Sequence, residues 1–294
     1  MDTTYTGDNA GAAGTMHMQL EAAGDVVLVV GEPPVYAIMV SSDRLARLSP
    51  VFEAMLSPVF RERLAGQRSL EPEEFYLRDD DVDAMLHICL MLYNHQPQNQ
   101  PLKGSAIHGL LKTMEKYHCR DAFAMQVNDM VRHQLEQDTP TWESAILNTA
   151  IAYLADDVAQ FKAHTSRLIT AFTIKFLSTR EFEGGDTLPL DALIVMFDKR
   201  QIARRMILHK LPRACVNDGS TLEGVCGGQV ELRIIDQSNN IDEVFRAMEV
   251  MPAQSHVGAL YPEVKQECSG LCLKCVKQGL IIRKGETCGS CPGD

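Results

Sequence analysis

Hydrophobic positions are scarce and without period at the start of the chain, where Gly, Ala, Thr and Asp dominate, so residues 1–22 are expected to be disordered. The pattern changes at Gly24. Asp25 is followed by the unbroken apolar run Val26 to Val30, then Gly31-Glu32-Pro33-Pro34, then a second run from Val35 to Val40. Two short β-branched runs around a Gly-Pro turn predict a hairpin of buried strands. Leu45, Leu48, Phe52, Met55, Leu56 and Phe60 then recur at spacings of three and four, the helical period. Ser49-Pro50 and Ser57-Pro58 each set a capping hydroxyl before a proline suited to a first helical turn, which predicts short, restarted helices.

A third short strand is expected at Glu74 to Leu77. Asp79-Asp80-Asp81 then caps a helix carrying Met85, Leu86, Cys89 and Tyr93, because carboxylates suit the end where unpaired N–H groups and the helix dipole favour negative charge. Pro97 and Pro101 mark a loop. Two more helices follow, one with Ile107, Leu110, Leu111, Met114 and Tyr117 inward, the other from Asp121 to Gln137. Further helix starts at Thr139-Pro140, Asp156-Asp157 and Leu188-Pro189 make residues 138–210 a helical extension. From Leu211 to Asp294 the region is mixed and richer in Gly and Cys, with one strand expected at Gln229 to Asp236 and one helix at Ile241 to Met251. Strands first and helices after predict the α+β class.

Charge narrows the partners. A net charge of -11 and a pI near 5.3 oppose general attraction to nucleic acid or anionic lipid. The longest aliphatic runs, Val26 to Val30 and Ala192 to Phe197, fall far short of the ~20 residues that cross a bilayer, so no membrane association is expected. The first Lys or Arg is Arg44, which leaves the opening stretch without the positive end of a secretory signal. Cytoplasmic or nuclear residence follows as the expectation, with the nine cysteines in a reducing compartment.

Several ordered motifs narrow the fold. Gly24-Asp25-Val26-Val27-Leu28-Val29-Val30, then Val40-Ser41-Ser42 and Leu45, then Ser49-Pro50-Val51-Phe52 with Ala54-Met55-Leu56, resemble the opening of a BTB/POZ domain. Asp79-Asp80-Asp81 before an apolar helix ending at Tyr93, and Glu115-Lys116-Tyr117-His118-Cys119, are similar to the second half of that family. The resemblance spans residues 23–137. It implies a small sheet flanked by short helices, and a role in protein–protein interaction through self-association or docking. Many BTB domains carry a His shortly after the second strand, paired with the early Asp; here Ser41 and Ser42 stand there. The serines and the Cys-rich tail, with Gly270-Leu271-Cys272-Leu273-Lys274-Cys275-Val276-Lys277, resemble the BTB group of filamentous fungi.

Within BTB proteins that recruit a cullin ubiquitin-ligase scaffold, a hydrophobic residue, any residue, then Glu follows the early helices, and Phe60-Arg61-Glu62 fits that pattern. Phe60 would be an apolar anchor and Glu62 the charge that orients the partner. The competing reading places Phe60 in the core as the next member of the Phe52, Met55, Leu56 stripe, with Glu62 solvated.

Five of the nine cysteines lie in the last 27 residues. Cys272-x2-Cys275-x12-Cys288-x2-Cys291 has the spacing of two thiolate hooks closing a tetrahedral structural zinc site, with Cys268 as an alternative ligand. Free reduced thiols are the other reading. The tail from residue 268 carries four basic and two acidic residues, a net of +2, too little to argue for DNA. No phosphate-cradling loop, dinucleotide glycine pattern, nucleophile elbow or His-Glu-x-x-His motif occurs, so no enzyme activity is expected. The expected function is protein binding and assembly. A cullin substrate adaptor and a nuclear transcription regulator with a zinc-bound tail are the alternatives.

Overall fold

The computed structural model describes residues 15–33, 35–57, 72–95, 102–136, 141–171, 182–217 and 254–279, together with Val244 and Met248. The chain divides into two compact units, Met1–Glu136 and Gln137–Asp294.

The first unit is built on a four-stranded sheet. Its strands are β1 (Met16–Gln19), β2 (Val26–Val30), β3 (Tyr36–Val40) and β4 (Glu73–Leu77), in the order β1-β3-β2-β4. The hairpin pairs β2 and β3 antiparallel, with Leu28 opposite Ile38. Gly31 turns it at φ +84, and any Cβ there would lie 2.5 Å from Val82 Cγ2, so the turn requires glycine. β4 lies parallel to β2, with Leu28 opposite Phe75. The expectation of disorder through residue 22 fails at β1, which pairs parallel with β3 from Met16 opposite Tyr36 to Gln19 opposite Met39. Its side chains are mostly exposed, so no apolar period betrays it; backbone hydrogen bonding to β3 makes the strand.

Between β3 and β4 run α1 (Ser42–Leu48) and α2 (Pro50–Met55). Ser49 ends the first and caps the second, its Oγ accepting from Val51 and Phe52 N–H at 3.2 Å each, with Pro50 at the first helical position. The Ser57-Pro58 restart falls at the limit of the described residues, since 58–71 lie outside them. α3 (Val82–Leu92) is capped by Asp81, whose Oδ1 accepts from Ala84 N–H at 2.8 Å. α4 (Gly104–Lys116), a 3-10 turn (Arg120–Phe123) and α5 (Ala124–Leu135) complete the unit. Val26, Leu28, Val30, Ile38, Val40, Leu45, Phe52, Met85, Ile88, Leu110, Leu111 and Met114 form the core, so the methionines at 85 and 114 are filler.

Among the described residues three helices end on a left-handed residue other than glycine. After α3, Asn94 N–H donates to Met91 O and His95 N–H to Leu90 O; after α4, His118 N–H donates to Glu115 O and Cys119 N–H to Met114 O. Asn94 and His118 hold φ of 54 and 51, the left-handed turn of a Schellman cap. Asp156, φ 55, does the same after α6 (Trp142–Leu154).

The second unit is helical where described. Thr141 starts α6 through a capping box with Ser144, two residues after the expected Thr139-Pro140, which lies outside the described residues. Asp157 caps α7 (Val158–Ala171), accepting from Gln160 N–H at 2.9 Å. α8 (Leu190–Asn217) follows Pro189 and continues past Leu211 through Pro212, so the helical extension does not stop at residue 210. The mixed character expected from Leu211 onward gives way further to α9 (His256–Cys268) and α10 (Leu273–Lys277). α6 packs on α7, and α9 along α8. Of Ile241 to Met251, Val244 and Met248 are described, both helical and buried; the Gln229 to Asp236 strand lies outside the described residues. The molecule is thus a mixed α/β protein with a small sheet and mostly helices. Among the described residues no helix is long and apolar enough to cross a membrane.

Candidate functional site

The position where the resemblance expects a histidine holds a serine seat. Asp25, just before β2, has both carboxylate oxygens engaged by Ser42: Oδ1 accepts from Ser42 N–H at 2.7 Å and Oδ2 from Ser42 Oγ–H at 2.6 Å. Ser41 caps α1 and its N–H donates to the Tyr93 hydroxyl at 2.8 Å. Arg44 stands 4.8 Å over the Tyr93 ring and pairs with Glu21 at 3.5 Å. Both donors to Asp25 thus come from one residue at the start of α1.

The Glu115-Lys116-Tyr117-His118-Cys119 motif resolves into separate tasks. Tyr117 stacks on Phe52, ring centroids 4.4 Å apart and planes within 12°, and its hydroxyl donates to Asp80 Oδ2 at 2.8 Å. Its carbonyl accepts from Ser49 Oγ–H. Lys116 Nζ reaches Asp80 Oδ1 at 2.8 Å, so buried Asp80 is held by a phenol and an ammonium. Burial, then the hydrogen bond to Asp80, pushes the Tyr117 hydroxyl far above its ordinary range, so it stays a donor. His118 closes the helix. Burial pushes the Cys119 thiol up to about 11 and the Cys89 thiol up to about 12, so both are protonated at neutral pH and act as small apolar groups.

On the surface of this unit lies a shallow groove. Leu48, Met91, Leu92 and Phe123 line it together with Arg44 and Arg47. Arg47 pairs with Asp43 at 2.9 Å and remains largely exposed. Gln126 also lines it, and its chain neighbour Met125 is 79% exposed. The contact residues expected from sequence, Phe60 and Glu62, lie outside the described residues.

The cysteine-rich turn belongs to the second unit. Cys268 ends α9 at 2% exposure, Cys272 is the half-exposed N-cap of α10, and Cys275 sits within that helix at 5% exposure. The connecting turn is held tightly against α7: Ser166 Oγ–H donates to Cys268 O at 2.8 Å, and Leu271 N–H to Thr165 Oγ1 at 2.8 Å. Lys277 pairs with Asp156 at 2.5 Å and lies 5.0 Å over the Tyr153 ring. The sequence treats this tail as having little besides metal to order it; through Gly279, protein contacts order it. Cys288 and Cys291 lie outside the described residues, and among the described residues no three ligating side chains gather into a metal site.

Two features escaped the sequence reading. Arg200, 2% exposed on α8, donates to the carbonyls of Ile169 at 2.6 Å and Thr170 at 3.3 Å in the last described turn of α7. Desolvation, then the Arg204 charge, lowers its guanidinium to about 10, still charged at neutral pH. Gly270 lies where a Cβ would collide with the Lys162 carbonyl and come within 2.7 Å of Thr165 Oγ1. Neither residue has a local sequence signal, because both act on chain distant from them. The chain matches no family model and no curated protein.

Proposed function

We propose that this chain is a protein-interaction and assembly factor whose first unit works as a BTB/POZ-like module. The observation that carries the reading is the architecture of the described residues of the first unit: an antiparallel hairpin, two short serine-capped helices, a strand parallel to β2, then α3, α4, a 3-10 turn and α5. A small sheet flanked by short helices is what the resemblance implies, and this architecture is compatible with it. The motifs that carry the resemblance do structural work, since Asp25, Ser49, Asp80 and Tyr117 hold backbone or one another. The groove is lined by apolar side chains and two arginines, chemistry suited to a partner with a hydrophobic anchor and acidic flanks.

The test uses the intact protein. Light scattering reads self-association, and an immobilised cullin amino-terminal domain reads adaptor binding. The expected result is a stable self-complex or cullin retention, weakened at least tenfold by Arg47→Glu with Met125→Asp while the circular dichroism melt is unchanged. A monomer that retains no cullin defeats the proposal.

A further inference from the structure

We propose that β4 is a pairing edge for a second copy of this chain, which adds its own β4 antiparallel about Tyr76 and joins the two sheets into one. The inference rests on the interaction reading and deepens it, naming one partner and a surface apart from the groove; no groove-lining residue belongs to β4.

The edge is defined by its hydrogen bonds. Among the described residues β4 ends the sheet order β1-β3-β2-β4, so β2 pairs with one side of it and no strand with the other. Glu73 N–H donates to Asp25 O at 3.0 Å at one end of the β2–β4 ladder, and Leu77 O accepts from Gly31 N–H at 3.1 Å at the other. Backbone groups alternate sides along a strand, so Glu73, Phe75 and Leu77 turn theirs to β2 while Glu74 and Tyr76 turn theirs outward. An outward row of N–H and C=O groups is a template for another strand. Proteins commonly blunt such an edge with lysine, proline or a bulge. Glu73–Leu77 contains no lysine, proline or glycine, and its register with β2 runs unbroken.

Side chains select the occupant. Phe75 and Leu77 are buried, and Glu74, Tyr76 and Arg78 are exposed on the opposite face. Tyr76 is 59% exposed; its hydroxyl donates to Glu74 Oε2 at 2.6 Å, and Arg78 Cζ lies 5.9 Å from its ring centroid. Along the face the order is acid, aromatic, base. An antiparallel partner with its two-fold axis at Tyr76 sets tyrosine against tyrosine and the Glu74 of each copy against the Arg78 of the other. The strand is thus complementary to its own reverse, which is what a contact between identical surfaces requires. A parallel partner in the same register would oppose Glu74 to Glu74 and Arg78 to Arg78, like charge to like.

The pairing closes at two copies, because each β4 is used once. One strand of 5 residues per copy is a small interface, so the pairing depends on concentration and is weaker than a stable complex through the groove.

The experiment is sedimentation velocity of the intact protein at rising concentration and low salt, with Arg47→Glu and Met125→Asp present so that the groove takes no part. The expected result is a reversible monomer–dimer equilibrium. Glu74→Arg alone and Arg78→Glu alone each weaken it at least tenfold, because each sets like charges opposite one another, while the circular dichroism melts are unchanged. Mixing the two singly reversed proteins restores a dimer containing one copy of each, since the basic edge of the first then meets the acidic edge of the second. Single reversals that leave the equilibrium unchanged, or a mixture that fails to pair, overturn the proposal. A protein that stays monomeric here, while the unsubstituted chain self-associates or retains the cullin domain, overturns it too and leaves the interaction reading standing.

Discussion

The two units are closed by different means. In the first, the helix ends are set over a few residues, since Ser49 caps the helix it precedes, Asp81 caps the next, and Asn94 and His118 end the helices just before them. Ser49 to Tyr117 and Tyr117 to Asp80 tie those ends together across the chain. In the second, the decisive contacts join distant chain: Leu271 to Thr165, Cys268 to Ser166, Arg200 to the carbonyls of Ile169 and Thr170. Local devices stabilise an element before the fold exists, whereas long-range ones depend on the assembled unit.

The strongest break is Gly270→Ala. Its methyl meets the Lys162 backbone, which cannot step aside as a side chain could, so the expected cost is about 3 kcal/mol or more. Trp142, the one tryptophan, lies in the second unit, so its fluorescence in a urea titration reads that loss; an unchanged midpoint refutes the close approach. Next is Arg200→Met, which strips the last described turn of α7 of its buried donor and should cost about 2–3 kcal/mol by the same readout.

Alkali should separate the units by sign. Cys89 and Cys119 have folded pKa values of about 12 and about 11 against an ordinary 9.0. The folded state keeps protons that the unfolded chain releases, so their contribution is full below pH 9 and is lost as pH climbs to about 11–12. At pH 10 the loss is about 1 kcal/mol per thiol. Lys199, in the second unit, has its pKa lowered, first by desolvation, so alkali relieves a penalty there. Thiol-reagent labelling of Cys89 and Cys119 against pH should accelerate before Trp142 fluorescence changes; the reverse order would contradict the sign. The smallest effect is a gain. His118→Gly removes the strain of a left-handed turn and should stabilise the first unit by about 0.5–1 kcal/mol, read from the urea midpoint of that labelling.

This contrast also explains what could be read from the residues alone. The hairpin, the Ser49-Pro50 restart and the Asp81 cap are legible because their cause lies within three or four positions of their effect. β1 is not, since Met16–Gln19 shows no buried face and exists through its pairing with β3. α8 passes Leu211 and carries Pro212 inside it, where the residues alone suggest a stop. At the candidate site, Ser41 and Ser42 stand out as a departure from the expected histidine. That both oxygens of Asp25 turn to Ser42 depends on the approach of β2 to the start of α1. Likewise the Cys-x2-Cys spacing is visible in the chain, while the clamp that holds it against α7 is not.

The parallel seating of β1 has a practical consequence for handling the protein. β1 covers the outer side of β3, taking Val35 and Met39 carbonyls through Met16 and Leu20 N–H. A shortened form beginning after Gln19 would leave β3, with buried Ala37, Ile38 and Val40, as a bare sheet margin. Unpaired backbone beside an apolar strand recruits strands from other molecules, so such a truncation should aggregate where the longer chain stays dispersed.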